Sequence, residues 1–264
     1  MIYGKLPVVF LSTIASEKNG STNCVIATYI LEHLDEMKDI GIKEIAKKCN
    51  VAVSSISRFC KEIGLRDFVE LKELLSSIDL YFEEQSHSQS LNQRIEDYSY
   101  KINESIQMVK NTIDRRQLMK LCDDIKQYKR VGIFGLLKAG SVAINLQGDL
   151  LMLGKQVYTH ISYTQQMQYI ITSDENDLII IFSYTGSYFD YQNFRALKKK
   201  LNTPKIWMIS GDKKNYPSFV DEVISFESLQ DQASHPYQLQ FIASLIAQEY
   251  SKIYSCLLYT SRCV

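Results

Sequence analysis

The chain is poor in several things, and each shortage narrows what it can be. Net charge is zero, with 30 Lys and Arg against 30 Asp and Glu. Bulk attraction to nucleic acid or to an anionic surface is therefore absent, and any such binding must come from a local patch. No apolar run approaches the ~18 residues of a membrane helix. The patch Pro7–Leu11 is short and only Lys5 precedes it, so no secretory leader is expected and a cytoplasmic location is the default.

Cysteine is scarce in pattern rather than number. Cys24, Cys49, Cys60, Cys122, Cys256 and Cys263 include no pair at the short spacing of a thiolate zinc site, and His33, His87, His160 and His235 are just as dispersed. Reduced thiols, no metal and no cofactor are the expectation. Proline numbers only 4 and glycine 11, and neither occurs between Gly64 and Gly132. That unbroken interval, rich in Leu, Ile, Lys, Glu and Gln, reads as helix with a polar interruption at Glu83–Asn92.

What is present changes character after Lys129. Before it, apolar residues recur at helical spacing. After it come short apolar runs, Val131–Gly135, Gln156–Ile161, Leu178–Ser183, Ile206–Ser210 and Glu222–Phe226, with helical stretches at Ser141–Leu153, Tyr163–Thr172 and Asp190–Leu201. Leu178–Ser183 is continuously apolar, as a strand covered on both faces must be. Alternating strand and helix implies βαβ crossovers and a parallel sheet. The chain divides into an all-α segment 1–78, a helical linker 79–112, an α/β domain 113–254 and a tail 255–264 to which no role is assigned.

Within the first segment, Val25, Ile26, Tyr29, Ile30 and Leu34 line one side of a helix that Ser21 or Thr22 caps. A short helix follows at Ile42–Cys49, with Ile45 and Ala46 inward and Lys43, Lys47 and Lys48 outward. The turn Asn50–Ala52 leads to a third helix, Val53–Ile63, which Gly64 stops. This is the layout of a helix-turn-helix unit whose third helix enters the major groove. Its outward side carries Ser54, Ser55, Ser57, Arg58 and Lys61, residue types suited to phosphate oxygens and, for arginine, a guanine edge. Over Ile42–Arg66, six basic residues face two acidic ones, a local charge of +4 within a neutral chain.

The stretch VIATYILEHL followed by IKEIAKKCNVAVSSISRFCKEIGLRDFVELKELL closely resembles the N-terminal domain of RpiR-type transcriptional regulators, in particular Ser57–Arg58–Phe59 and the spacing of Gly64, Phe68 and Lys72. The resemblance implies double-stranded DNA as a partner. It departs at Ala52, where the family commonly has serine at the helix start. The family's second half is a sugar isomerase (SIS) domain, a five-stranded parallel sheet between helices, and 113–254 resembles it more loosely. Its first turn usually reads Gly-x-Gly-x-Ser; here Gly135 is kept, Leu137 stands in the second glycine place and Ala139 in the serine place. Gly140 and Ser141 either substitute by a shift of register or simply begin the helix. Its second turn usually reads Ser-x-Ser-Gly-x-Thr; here it is Ser183–Tyr184–Thr185–Gly186–Ser187–Tyr188, whose hydroxyls suit a phosphate.

The resemblance thus implies a regulator answering to a phosphorylated sugar, with Gly135, Ser141, Ser183, Thr185, Gly186, Ser187 and Glu227 as ligand-side candidates. It also implies a homodimer or higher homo-oligomer on a palindromic operator. Two rivals stand beside that reading. One is a sugar-phosphate isomerase with Glu227 or His235 as its proton shuttle. The other is a regulator whose eroded first turn, at Leu137 and Ala139, no longer binds a small molecule.

Overall fold

The computed structural model describes residues 5–76, 90–191, 203–212 and 216–261. The N-terminal helices are α1 (Lys5–Ser16), α2 (Thr22–Glu32), α3 (Ile42–Lys48), α4 (Val53–Glu62) and α5 (Phe68–Ser76), with one 3-10 turn at Glu36–Lys38. The first was not expected beyond its apolar patch. Pro7 is tolerated there because it lies in the first turn, where backbone N–H groups have no partner within the helix. Ser21 caps α2, its hydroxyl accepting from Cys24 N–H.

Between α3 and α4, Asn50 takes φ of +53° and Val51 N–H donates to Ala46 O at 2.8 Å. Ile45, Ala46, Ile56, Phe59 and Cys60 fill the core behind this turn, and Phe10 of α1 stacks on Phe59 at 5.9 Å. Burying Phe59 or Ile56 completely contributes about 1.5–3 kcal/mol each, so the bend is set by packing as well as by the turn. Beyond α4, Gly64 has φ of +92° and Leu65 N–H returns to Cys60 O at 2.8 Å, the C-terminal stop foreseen from sequence. Burial pushes the Cys60 thiol up to about 12, as befits a packing residue.

Helices α6 (Leu91–Thr112) and α7 (Arg115–Gln127) lead into β1 (Arg130–Phe134), α8 (Lys138–Met152), α9 (Tyr163–Thr172), β2 (Asp177–Phe182), β3 (Lys205–Ser210), β4 (Glu222–Ser225) and α10 (Ser234–Ser261). All pairings are parallel, in the order β1-β2-β3-β4. Among the described residues there are four strands where five were expected. The stretch Gln156–Ile161 does reach the free edge of β1, where Tyr158 N–H donates to Val131 O and Ile133 N–H to Tyr158 O, but it makes only this one bridge. The chain leaves β1, visits that edge, and crosses back over β1 to β2, so the topological switch point lies at β1.

Side chains of β2 alternate as a doubly covered strand requires. Leu178, Ile180 and Phe182 join α7, α8 and α10 on one face, and Ile179 and Ile181 join α9 on the other. Trp207 donates to Asp124 at 2.8 Å, and Lys205 pairs with the same carboxylate at 2.7 Å, so a polar group from α7 pins β3. The second half of α6, with Ser105 and Val109 buried, packs along α10. Most of the expected polar interruption at Glu83–Asn92 lies outside the described residues, as does most of the helix expected at Asp190–Leu201. The final helix continues through most of the tail.

The N-terminal helices pack onto the second face of the sheet. Leu6, Val9 and Phe10 of α1 belong to the same core as Tyr163, Met167 and Ile170 of α9. Ser12 accepts from Tyr163 N–H at 3.0 Å and donates to Ile161 O at 2.8 Å, and Thr164 donates to Glu62 O at 3.1 Å.

Candidate functional site

Two regions carry the expected chemistry. On the N-terminal helices, Lys43 and Lys47 are exposed on α3, and with Glu44 and Lys48 they line a shallow depression of about 730 Å³. On α4, Ser54, Arg58 and Lys61 are exposed, while Ser55 and Ser57 are half-buried. Ser57 turns its hydroxyl back toward Val53 O at 3.4 Å. Arg58 lies 3.7 Å from Glu62, and the two side chains are 64% and 40% exposed. An exposed pair one helical turn apart is worth only about 0.3–0.5 kcal/mol, so a phosphate can draw Arg58 away at little cost. Ala52 begins α4 with no side-chain cap, and neither Asn50 nor Ser54 supplies the missing bond.

On the α/β domain, the turn after β1 keeps a glycine's shape without its glycine. Leu137 sits at φ +49°, ψ −115°, and Ala139 N–H closes the turn on Leu136 O at 3.1 Å. Those are the angles of the first central residue of a type II′ turn, a place dominated by glycine. Gly135 is held by close approach instead: a Cβ there would lie 2.6 Å from Ala139 O. Because α8 begins at Lys138, Gly140 and Ser141 lie in its first turn, where they also border the cleft beside β1. Ser141 is exposed, with its hydroxyl 3.4 Å from Leu137 O.

In the second turn, Ser183 and Gly186 are buried and Thr185 and Ser187 half-buried. Gly186, at φ +65°, closes the turn on Ser183 O at 2.8 Å. Thr185 and Ser187 share a 2.6 Å hydrogen bond, which brings their two hydroxyls together. Tyr188, where the family pattern has threonine, points inward. Its hydroxyl donates to Gln166 at 2.7 Å, and burial raises its pKa well above the usual phenol value. Gln166, fully buried, donates from its amide to Gly135 O at 2.8 Å and His160 O at 2.6 Å. One side chain from α9 therefore ties both turns together, with both amide hydrogens donated and its oxygen accepting from Tyr188. Sequence reading missed it, because a glutamine in an amphipathic helix carries no local signal.

A cleft of about 370 Å³ opens beside the first turn, lined by Gly135, Leu137, Gly140, Ser141, Ile144, His160 and Ile161 and, from α1, Ser12 and Ala15. This volume lies within the range of small-molecule sites. Of the ligand-side candidates, Gly135 and Ser141 line it. Ser183, Thr185, Gly186 and Ser187 form the neighbouring turn. Glu227 is exposed beyond β4, its N–H bonded to Thr112 and its carbonyl to Gln238. His235 is buried and stacked on Tyr184 at 4.5 Å. Burial, with a smaller contribution from Lys138, lowers its pKa to about 3, which leaves a weakly basic, neutral imidazole.

Among the described residues, no helix is long and apolar enough to cross a membrane, and no cluster of three or more His, Cys, Asp or Glu is placed to hold a metal ion.

Comparison with known proteins bears on both regions. Residues 10–79 match the helix-turn-helix domain of the rpiR family. A curated relative, an uncharacterised HTH-type transcriptional regulator of Haemophilus influenzae, is 28% identical over 199 residues, covering 70% of this chain and 65% of its own length. The HTH-type transcriptional regulator HexR of Escherichia coli is 23% identical over 166 residues, covering 61% of this chain and 57% of its own. The chain thus spans somewhat under two thirds of these relatives. Among solved structures, Vibrio vulnificus NanR complexed with ManNAc-6P aligns over 98% of this chain and 97% of its own, with a TM-score of 0.53 at 15% identity. The protein c3406 of E. coli CFT073 aligns over 64% of this chain and 94% of its own, with a TM-score of 0.52 at 13% identity. At such identities the structural likeness speaks for the fold.

Proposed function

We propose that this chain, whose residues 10–79 are an rpiR-family helix-turn-helix domain, is a DNA-binding transcriptional regulator that answers to a phosphorylated sugar. The observation that carries the reading is the α3–α4 unit. It pairs a fully buried inner side, Ile45, Ala46, Ile56 and Phe59, with an outer side of exposed Lys43, Lys47, Ser54, Arg58 and Lys61. Lysines position such a unit on phosphates, and α4 presents its first turns to base edges. One α4 covers a half-site, so the operator is palindromic and the working species a dimer in the cytoplasm. The segments divide as 1–78 for DNA, 79–112 as connector and 113–254 as sensor.

The cleft and the two turns at the carboxyl ends of β1 and β2 are the effector site, at the position where open α/β sheets bind ligands. The ManNAc-6P held by NanR supports an amino-sugar phosphate as the class to try first. Ser141 and the hydroxyls of Ser183, Thr185 and Ser187 serve that ligand. Isomerase chemistry is the weaker reading, because His235 is a buried, neutral imidazole and Glu227 does not line the cleft.

The test is selection of bound duplexes from random DNA, then anisotropy titration of the selected site with and without sugar phosphates, beside a thermal-shift series with the same compounds. A palindromic site released or tightened by one sugar phosphate supports the whole reading. Binding of DNA without any thermal shift supports a regulator with a vestigial pocket. Failure of selection overturns the DNA reading.

A further inference from the structure

The cleft beside the first turn is not made by the α/β domain alone. Ser12 and Ala15 of α1 form part of its wall, and His160 and Ile161 another part. The segment 160–164 then continues directly into bonds with the N-terminal helices. Ile161 O and Tyr163 N–H both engage the Ser12 hydroxyl, at 2.8 and 3.0 Å. Thr164 donates to Glu62 O, the last carbonyl of α4. A helix's final carbonyls have no partner inside the helix, so Thr164 caps the reader helix from the opposite domain. The Glu62 side chain is also engaged, accepting from Asn23 at 2.7 Å and facing Arg58. Cleft wall, bridging segment, helix end and the exposed Arg58 are thus consecutive contacts.

We infer that this is a composite site: a ligand seated against the first turn touches the DNA-binding head itself, and residues 160–164 pass that contact to the end of α4. This rests on the proposed effector reading for the ligand's identity, but the mechanical link stands on the contacts alone. A ligand that pushes α1 from the turn cannot leave both Ser12 bonds intact, and the Thr164 cap moves with the same segment. Coupling between sites is then a property of three hydrogen bonds, and it needs no signal through the connector between α5 and α6. Coupling free energies of this kind change affinity roughly 5- to 150-fold.

The test uses the full chain and needs no ligand. Ala15→Trp places a ring in the cleft from an exposed helical position and so imitates an occupant. Met119→Trp, on the exposed side of α7 across the sheet, controls for the added ring. Thr164→Val removes the cap hydroxyl with little change of shape. Operator affinity is read by anisotropy, and hydrogen exchange of the 59–63 amides is read without DNA. The expectation is that Ala15→Trp shifts operator Kd at least fivefold and speeds exchange at 59–63, that Met119→Trp does neither, and that the Kd shift falls below twofold in the Thr164→Val background. The inference is overturned if Ala15→Trp leaves Kd within twofold and exchange unchanged, or if its effect is equally large without the Thr164 hydroxyl. Should the chain bind no DNA at all, the functional reading fails, and the exchange measurement in the four variants still decides the coupling.

Discussion

Leucine at position 137 adopts angles that an L-residue takes reluctantly, and replacing it separates backbone strain from side-chain packing. Two truncations are compared, Leu137→Ala and Leu137→Gly. Both remove the same half-buried side chain, a loss of about 1 kcal/mol when roughly half of a full leucine burial is forfeited. They differ in the Cβ. At φ +49°, ψ −115°, alanine keeps the steric penalty of a rarely populated region, about 1–3 kcal/mol. Glycine escapes it but gives up about 0.5–1 kcal/mol of chain entropy. The glycine variant is therefore expected to exceed the alanine variant by about 1 kcal/mol, the reverse of the ordinary order, and to stand near wild type. Urea unfolding followed by fluorescence of Trp207 suits the comparison, because this chain has a single tryptophan and it is buried in the α/β domain. An alanine variant as stable as the glycine one, or more so, would refute the claim that this turn stores strain.

Two further substitutions probe the head and the sheet. Ala52→Ser gives α4 the side-chain cap it lacks and should raise stability by about 1 kcal/mol, seen in the far-ultraviolet dichroism of thermal unfolding. His235 supplies the pH dependence. Its folded pKa of about 3 lies below the ordinary value of 6.5, so the unfolded chain binds the proton more readily and stability is lost as pH falls through 6.5 toward 3. Linkage puts the loss at about 2 kcal/mol by pH 5 relative to pH 7.5, and His235→Phe, which keeps a ring beside Tyr184, should remove that component of the acid sensitivity in urea titrations.

Much of this architecture was legible because its signals are local. The helices α2, α3, α4 and α9 declare themselves by apolar spacing and end signals, and β2 by a run apolar on both faces. Helix α1 showed in the sequence only as the short apolar patch Pro7–Leu11, and its Pro7 fits because it lies in the first turn. The stretch Gln156–Ile161 reads as a full strand from its β-forming residues, yet it makes one bridge at a sheet edge. At the candidate sites, the exposed residues of α4 followed from periodicity. The non-local partners did not. Gln166 joins two turns that lie far from it in sequence, Tyr188 turns inward because α9 offers it that amide, and Ser12 and Thr164 matter only because α1 and α4 meet α9. Such roles arise from tertiary contacts that no spacing within a single segment encodes.

The most direct measurement on the central claim is anisotropy titration of the selected operator at several salt concentrations, with wild type beside Arg58→Ala and Lys43→Ala/Lys47→Ala. Arg58→Ala is expected to weaken binding by about 1–3 kcal/mol, and the double variant to lower affinity with a salt slope shallower by about 2. Operator affinity and salt slope unchanged in both variants would contradict α3 and α4 as the DNA-reading surface.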